Sequence, residues 1–194
     1  MGAFDAIVEI DHQLFFYLNG LHKPWMDGVM ETFSNKLFWI PLYAWIFYLI
    51  YKKYNKGAFV ILLCAIGLIF FSDQTANVFK VLVQRYRPTH NPSFGHLVHT
   101  VNDYKGGTYG FFSSHASNAF ALMMFVLLLI KPTTAKFKLI LISYACLNSY
   151  SRIYLGVHYP TDIIVGAACG IGLGFLFYNF TKVLLEKWNI KFQS

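Results

Sequence analysis

The sequence predicts an all-α, polytopic membrane helix bundle with about five transmembrane helices and an N-terminal interfacial helix. Hydrophobic residues make up 56% of the 194 residues and charged residues 13%, whereas soluble domains average about 45–50% apolar and 25% charged residues. The 20 Phe and 13 Tyr suit a body immersed in acyl chains with aromatic side chains at both interfaces. Because the composition does not break along the chain, residues 1–194 are predicted to form one membrane-embedded domain.

Five apolar segments qualify as spanning helices, for which a bilayer requires roughly 20 residues each. The apolar run 37–51 is too short alone, so the first span is predicted to begin near Met30, with Lys36 reaching toward the headgroups. The other four spans are predicted at 57–80, 113–130, 137–152 and 160–185.

The fifth span carries a small residue at every fourth position. Gly166, Gly170 and Gly174 lie on one face of that helix, and small residues let the backbone of another helix approach closely. We therefore expect tight packing of this span against a neighbour, in preference to a chance occurrence of glycine.

Lysine clusters divide the segments between the spans into two sides. The clusters follow the first, third and fifth spans, and the positive-inside rule makes these three regions cytoplasmic. Their members are Lys52, Lys53 and Lys56; Lys131, Lys136 and Lys138; and Lys182, Lys187 and Lys191. The loop 87–112 and the turn 152–159 then face the outer side. Residues 4–25 mix acids with large apolar side chains, which favours an interfacial helix on that side over a sixth crossing.

Polar residues gather at the outer ends of the spans in three clusters. In the first cluster, Lys80 and Arg87 are seven residues apart, nearly two helical turns, and are predicted to share a face about 10 Å long. The second cluster is Ser113, Ser114 and His115 at the start of the third span, where a serine cap and free N–H groups suit an anion.

The third cluster runs from Ser151 to Asp162. Pro160 suits the first turn of a helix, which places Asp162 one turn from His158. If the three clusters converge, they form a phosphate site. Arginine guanidinium groups can bind phosphate oxygens with two donors each, a lysine ammonium adds positive charge, and helix N–H groups complete the site. An Asp162 carboxylate that accepts from one ring nitrogen leaves the other bare, so His158 is predicted as the nucleophile and His115 as the general acid.

Each cluster taken alone also fits an ordinary structural role. A cation at a helix end is usually a headgroup anchor, serines cap helices, and a His–Asp pair braces a turn. The joint occurrence of all three spacings on one side of the membrane favours function.

Together the clusters form a pattern of three parts: Lys-x6-Arg-Pro, Ser-Ser-His and Ser-Arg-x5-His-x3-Asp. This pattern resembles the three-part signature of the type 2 phosphatidic acid phosphatase superfamily of integral-membrane lipid phosphatases. The resemblance extends from Asp73 to the end of the fifth span. It implies a metal-independent phosphatase with no cofactor and a phosphohistidine intermediate. The phosphate-binding positions that it implies are Lys80, Arg87, Ser113, the Ser114 backbone and Arg152, with His115 as acid, His158 as nucleophile and Asp162 as orienting partner.

The middle motif departs from the family pattern. The chain has Phe112-Ser113-Ser114-His115 where the family usually has Pro-Ser-Gly-His. Serine in place of glycine keeps the N–H but adds bulk, and Phe in place of Pro loosens the approach to the helix. These changes bear on pocket shape and substrate choice rather than on the catalytic groups.

Asp73 and Lys105 are further candidates. A carboxylate within a span is costly unless paired, so Asp73 is either a partner of Lys80 or Arg152, or is held as structure by Asn77 and Asn148. Lys105 is the best headgroup contact in the outer loop. The loop histidines at 90, 96 and 99 match no helical ligand spacing, which favours solvated or substrate-contacting roles over a metal site.

The predicted function is removal of a phosphate monoester or diphosphate terminus from a lipid at the outer face. Candidate substrates by analogy are phosphatidylglycerophosphate, phosphatidic acid, polyprenyl diphosphate and lipid A phosphate, and bacterial inner-membrane members of the family are the nearest analogy for location. The expected partners are the lipid substrate and the bilayer, with no obligate protein partner; the net charge of +7 forms no single stripe, which excludes nucleic acid. An alternative is an anion transporter or channel lined by the same cationic cluster, but its usual internal repeats are lacking.

Overall fold

In the computed structural model, residues 2–131 and 134–188 are described, and within these ranges the chain is helical apart from turns, loops and an isolated bridge between Tyr86 and Tyr109. The all-α class is therefore confirmed. Lys191, one of the predicted cytoplasmic lysines, lies outside the described residues. The helices are α1 (Ala3–Asn19), α2 (Pro24–Ser34), α3 (Ile40–Tyr54), α4 (Gly57–Val83), α5 (Ser114–Ile130), α6 (Ala135–Tyr154) and α7 (Pro160–Lys187).

The last four helices agree with the apolar runs of the sequence to within a few residues. In the described part of the chain, α4 and α7 are long and apolar enough to cross a membrane, each with a mean hydropathy of 1.9 over its best window, and α5 is a shorter apolar helix. Ser113 is the N-cap of α5, and its side chain accepts a hydrogen bond from the Ala116 N–H. Pro160 occupies the first turn of α7, as predicted.

The predicted tight packing of the glycine-bearing helix is confirmed, and its partner is α5. A Cβ atom at Gly170 would lie 2.2 Å from the backbone oxygen of Ser117. Cβ atoms at Gly166 and Gly174 would likewise lie within 3 Å of backbone oxygens of Ser113 and Ala121. Backbone meets backbone along this seam, so the outer ends of α5 and α7 are held at a fixed separation.

One end of the bundle brings together helix termini that carry lysine. The Lys53 ammonium donates to the carbonyl oxygens of Leu129 and Ile130, both at 3.2 Å, and the Tyr54 hydroxyl donates to the Leu129 oxygen at 2.7 Å. The C-terminal ends of α3 and α5 therefore lie side by side, at the end of the bundle opposite to the three polar clusters.

The predicted first span is wrong as a single helix. The chain leaves α2 at Asn35, whose side chain accepts from the Leu37 N–H, and passes through a 3₁₀ turn (Lys36–Trp39) before α3 begins. Pro41 in the first turn of α3 has no N–H to continue an earlier helix. The helix that follows Asn35 is therefore only 15 residues long.

The N-terminal region forms two helices rather than one. Helix α1 ends at Asn19, whose amide donates to the carbonyl oxygens of Ile153 and Tyr154 at the end of α6. Phe15 is fully buried, with its ring 5.4 Å from that of Tyr159. These contacts place α1 across the loop that joins α6 to α7.

Lys80 and Arg87 do not share a helical face. Helix α4 ends at Val83 because Gln84 adopts a left-handed conformation, with a φ of 49°. Arg87 is extended and belongs to the outer loop. Its side chain is therefore positioned by the loop and not by α4.

Candidate active site

The loop between α6 and α7 presents His158 beside Asp162. The His158 Nδ1 atom lies 3.3 Å from Asp162 Oδ2, and the same oxygen accepts from the Tyr159 N–H at 3.0 Å. His158 is 2% exposed and Asp162 is fully buried. One carboxylate thus caps the first turn of α7 and faces one ring nitrogen of the histidine, which leaves Nε2 as the free nitrogen.

Arg85 holds the other oxygen of this carboxylate, and sequence reasoning missed it. Its Nη1 donates to Asp162 Oδ1 at 2.9 Å, and its guanidinium carbon lies 3.9 Å from the centre of the Tyr159 ring. Its Nη2 donates to Asp11 Oδ2 of α1 at 2.5 Å. The sequence signal for Arg85 is only its position as a further cation close to Arg87. Nothing in the neighbouring sequence indicates that α1 supplies the partner of Arg85.

Arg87 enters the same space from the outer loop. The Arg87 N–H donates to the Thr108 oxygen at 3.0 Å, and its Nε donates to the Tyr109 oxygen at 3.2 Å. A Cβ atom at Gly110 would lie 3.1 Å from Arg87 Cγ, 3.2 Å from Asp162 Oδ2 and 3.5 Å from His158 Nδ1. These three side chains therefore converge on Gly110, where an added Cβ atom would require at least two of them to move by a few tenths of an ångström.

Arg152 approaches from the end of α6, and it is 3% exposed. Its Nη2 donates to the Tyr104 hydroxyl at 3.0 Å, and its Nη1 donates to the Ser34 hydroxyl of α2. Two donors of the fork are thus used to fix its orientation.

Two guanidinium nitrogens in this pocket stay unsatisfied. Arg87 Nη1 and Arg152 Nε are buried without a hydrogen-bond partner among the described residues. An unpaired buried donor costs about 1–3 kcal/mol, and more when it is charged. A bound oxyanion is the chemical group that would satisfy both.

The serine motif lies next to Lys80. The Lys80 ammonium donates to the Ser114 hydroxyl at 2.6 Å. Ser113 is fully buried at the N-cap of α5, and its N–H donates to the Asp162 carbonyl oxygen at 3.1 Å. The start of α5 is therefore joined both to the lysine of α4 and to the first turn of α7.

His115 stands where two cavities meet. An apolar cavity of about 410 Å³ runs between α3, α4, α5 and α6, and a second cavity of about 450 Å³ is lined by Arg152, Tyr104 and Ser34. His115 and Lys36 line both cavities. The polar pocket is thus continuous at His115 with space that faces the bundle interior.

Burial and the nearby cations keep His158 neutral. The pKa of His158 lies well below that of an exposed histidine, first because burial disfavours the cation and then because Arg87, Arg152 and Lys80 repel it. A neutral imidazole with an accepting carboxylate on Nδ1 is the form that a nucleophile requires.

The remaining candidates lie apart from this pocket or have other partners. Asp73 accepts from the Asn118 amide at 3.2 Å, a partner that was not predicted. The Lys105 side chain is exposed, and its loop neighbour Tyr104 makes the contact with Arg152. His99 pairs with Asp27 at 3.1 Å; in the described residues no cluster of three or more His, Cys, Asp or Glu suits a metal ion.

The fold and the site define an all-helical protein whose cations gather in one buried pocket at an end of the bundle. The chain belongs to the PAP2 superfamily, whose family model matches residues 58–185. The family resemblance read from the three clusters is therefore confirmed.

The similar proteins are lipid phosphatases. A lipid A 4'-phosphatase of Bacteroides thetaiotaomicron is 41% identical over 94% of this chain and 82% of that protein. A lipid A 4'-phosphatase of Porphyromonas gingivalis is 36% identical over 95% of this chain and 78% of that protein. The crystal structure of a PAP2-type phosphatidylglycerolphosphate phosphatase from Bacillus subtilis superposes with a TM-score of 0.67 and 26% identity, over 91% and 87% of the two chains. The alternative of an anion transporter finds no support in these relatives.

Proposed function

We propose that the chain hydrolyses a phosphate monoester or diphosphate of a membrane lipid through a phosphohistidine intermediate. The observation that carries this proposal is the pair of buried guanidinium donors, Arg87 Nη1 and Arg152 Nε, that have no hydrogen-bond partner among the described residues. Both arginines are close enough to His158 to lower its pKa. Membership of the PAP2 superfamily and the activities of the relatives support the same reaction.

The phosphate oxygens bind to fixed positive groups. Arg87 and Arg152 supply their free donors, Lys80 supplies a point charge, and the Ser113 hydroxyl and the Ser114 N–H at the start of α5 complete the cradle. Ser34 and Tyr104 orient Arg152 before substrate arrives. Such prearranged donors stabilise charge in the transition state without reorganisation.

The chemistry is two displacements at phosphorus. The Nε2 atom of His158 forms a bond to phosphorus while the bond to the lipid oxygen breaks, and that oxygen takes a proton from His115. Asp162 accepts a hydrogen bond from the Nδ1–H and so stabilises the positive ring. Water then attacks phosphorus, His115 takes a proton from it, and inorganic phosphate leaves as His158 is regenerated.

The position of His115 fits an amphiphilic leaving group. The headgroup occupies the polar cavity beside Arg152, and an acyl chain extends toward the apolar cavity on the other side of His115. Lys36, shared by both cavities, lies at the boundary. Among phosphatidylglycerophosphate, phosphatidic acid, polyprenyl diphosphate and lipid A phosphate, lipid A phosphate is the first to test because two relatives carry that activity.

The proposed topology has five spans, α3 to α7, in a single domain over residues 1–194. Helices α1 and α2 lie on the outer interface, the pocket faces the periplasm of a bacterial inner membrane, and the C-terminus is cytoplasmic. The lysine-bearing ends of α3 and α5 lie together at the opposite end of the bundle from Arg152, which supports this orientation.

The test is phosphate release by purified protein from a panel of these four lipid phosphates in excess chelator. We expect turnover of at least one lipid, and loss of turnover in His158→Ala with an unchanged melting temperature. Undiminished turnover in His158→Ala would refute the nucleophile. No release from any lipid by folded wild-type protein would refute the activity.

The role of His115 is tested through the leaving group. We expect His115→Ala to slow release of lipid alcohols strongly but to spare an activated aryl phosphate, whose phenolate leaves without a proton. Equal slowing of both substrates, or no slowing, contradicts the acid role.

A further inference from the structure

A row of charged side chains connects α1 to the His158 pocket. Asp11 of α1, Arg85 of the outer loop and Asp162 of α7 follow one another at 2.5 Å and 2.9 Å. Asp11 is 2% exposed and Asp162 is fully buried. Asp11 lies outside the residues 58–185 that match the family model, so this contact is additional to the shared motifs.

We propose that Asp11 is a positioning residue for the nucleophile, acting through Arg85 and Asp162. The inference rests on the proposed function, because it assumes that His158 is phosphorylated. Asp11 touches neither His158 nor the phosphate site; its effect passes through the guanidinium that it holds.

The geometry divides the oxygens of Asp162 between two tasks. Arg85 donates to Oδ1, so Oδ2 is left to face His158 Nδ1 at 3.3 Å. Arg85 in turn is held by Asp11 at Nη2, by the Thr161 hydroxyl at Nη1 and by the Tyr159 ring beside its guanidinium carbon. Without Asp11 the Nη2 end of the guanidinium loses its anchor, so the arginine regains some rotamer freedom and orients the Asp162 carboxylate less exactly.

The charge of Asp11 adds an electrostatic effect. Two carboxylates and one guanidinium sum to one negative charge beside His158. Attack by Nε2 leaves the ring positive while Nδ1 keeps its proton, so the net negative row stabilises the phosphorylated ring more than the neutral one. Neutralising Asp11 leaves a row with no net charge and removes that difference.

Asp11 also has a plainly structural contact. Its carboxylate accepts from the Thr161 N–H at 2.9 Å and from the Thr161 hydroxyl at 2.6 Å, at the positive end of α7. A structural brace alone predicts lower stability with unchanged chemistry in the folded fraction. A positioning role predicts slower phosphorylation with unchanged phosphate binding.

The experiment compares Asp11→Asn with Glu9→Gln in the full chain in detergent. Glu9 is a matched control, an exposed acid of α1 bonded to Gln13. We measure single-turnover phosphoenzyme formation, the inhibition constant of inorganic phosphate, and the melting temperature. Asp11→Asn is expected to slow phosphoenzyme formation by about 10- to 100-fold with phosphate inhibition as in the wild type. Asp11→Glu is expected to recover part of the rate, and Glu9→Gln to behave as the wild type.

A wild-type rate of phosphorylation in folded Asp11→Asn overturns the inference. If that variant does not fold, Arg85→Lys decides by the same two readouts, since an ammonium cannot fork between Asp11 and Asp162. Slow phosphorylation with ordinary phosphate inhibition supports the inference, and a wild-type rate overturns it. Failure of the proposed function looks different: the wild type itself then forms no phosphoenzyme.

Discussion

At the scale of single residues, the pocket is defined by hydrogen-bond donors that the protein leaves unpaired. Arg152 uses Nη1 and Nη2 on Ser34 and Tyr104, and its Nε has no hydrogen-bond partner in the part of the chain that the structure describes. A guanidinium group can be held by two of its donors while a third donor remains for a ligand, because its donors have a fixed planar geometry. Lysine at this position would retain the charge but neither the orientation nor the remaining donor.

We therefore expect Arg152→Lys to lower kcat/KM by about 10²- to 10³-fold, the usual effect of losing an oxyanion donor. The measurement is steady-state phosphate release from the lipid that proves active. Lys138→Ala, an exposed change on the same helix, serves as control and is expected to be silent. An Arg152→Lys enzyme within threefold of the wild type would contradict the assignment.

The protonation of His158 gives a second prediction. Its pKa lies well below that of an exposed histidine because of burial and three nearby cations. A lowered pKa means that the ring stays neutral as pH falls through the usual histidine range. We expect ¹⁵N NMR of histidine-labelled protein, assigned with His158→Gln, to show a neutral ring at pH 6. A midpoint at or above that of free histidine would contradict this.

Sequence spacing predicted the pocket residues that belong to local motifs, such as the His158–Asp162 pair. It did not predict Arg85 or Asp11, because their partners are joined only when α1 folds across the α6–α7 loop. Asp73 shows the same limit. The sequence indicates that a carboxylate in a span needs a partner, but the identity of that partner, Asn118, depends on how α4 and α5 pack.

At the scale of elements, α5 and α7 form the tightest contact in the pocket's surroundings. Apolar length predicted the bounds of both helices, and the recurrence of glycine predicted that a neighbouring helix packs closely against α7, although not that this neighbour is α5. The points at which α2 and α4 end could not be predicted in the same way. Asn35 and Gln84 end helices through turn conformations that hydrophobicity does not register.

The seam supplies a matched pair of alanine variants. Gly170→Ala places a Cβ against the Ser117 backbone, whereas Gly172→Ala on the same helix meets nothing within 4 Å. We expect Gly170→Ala to destabilise the protein by about 1–3 kcal/mol, as overpacking does. Gly172→Ala is expected to be neutral or stabilising because alanine favours helix. Melting temperatures in one detergent decide, and indistinguishable values would contradict the packing.

At the scale of the whole molecule, the bundle has a polar end and a lysine end. Lys105 lies in the outer loop near the pocket, and Lys52 lies at the end of α3 beside the terminus of α5. Both side chains are exposed, so each can report the side on which it lies.

In a background without native cysteine, we expect Lys105→Cys to react with an impermeant maleimide on intact spheroplasts. Lys52→Cys is expected to react only after permeabilisation. The reverse labelling pattern would show that the topology is inverted. Labelling of both cysteines on intact spheroplasts would exclude the proposed topology.

The seam between α5 and α7 has a consequence for how such a protein diversifies. The Ser113-Ser114-His115 motif begins α5 and Asp162 lies in the first turn of α7, and the backbones of these two helices touch directly. The spacing of these side chains therefore does not depend on the bulk of side chains on the outer surface of the bundle. If the proposed function holds, substitutions on the outer surfaces of the other helices are expected to change the preference for a lipid tail while the spacing of the pocket side chains stays the same.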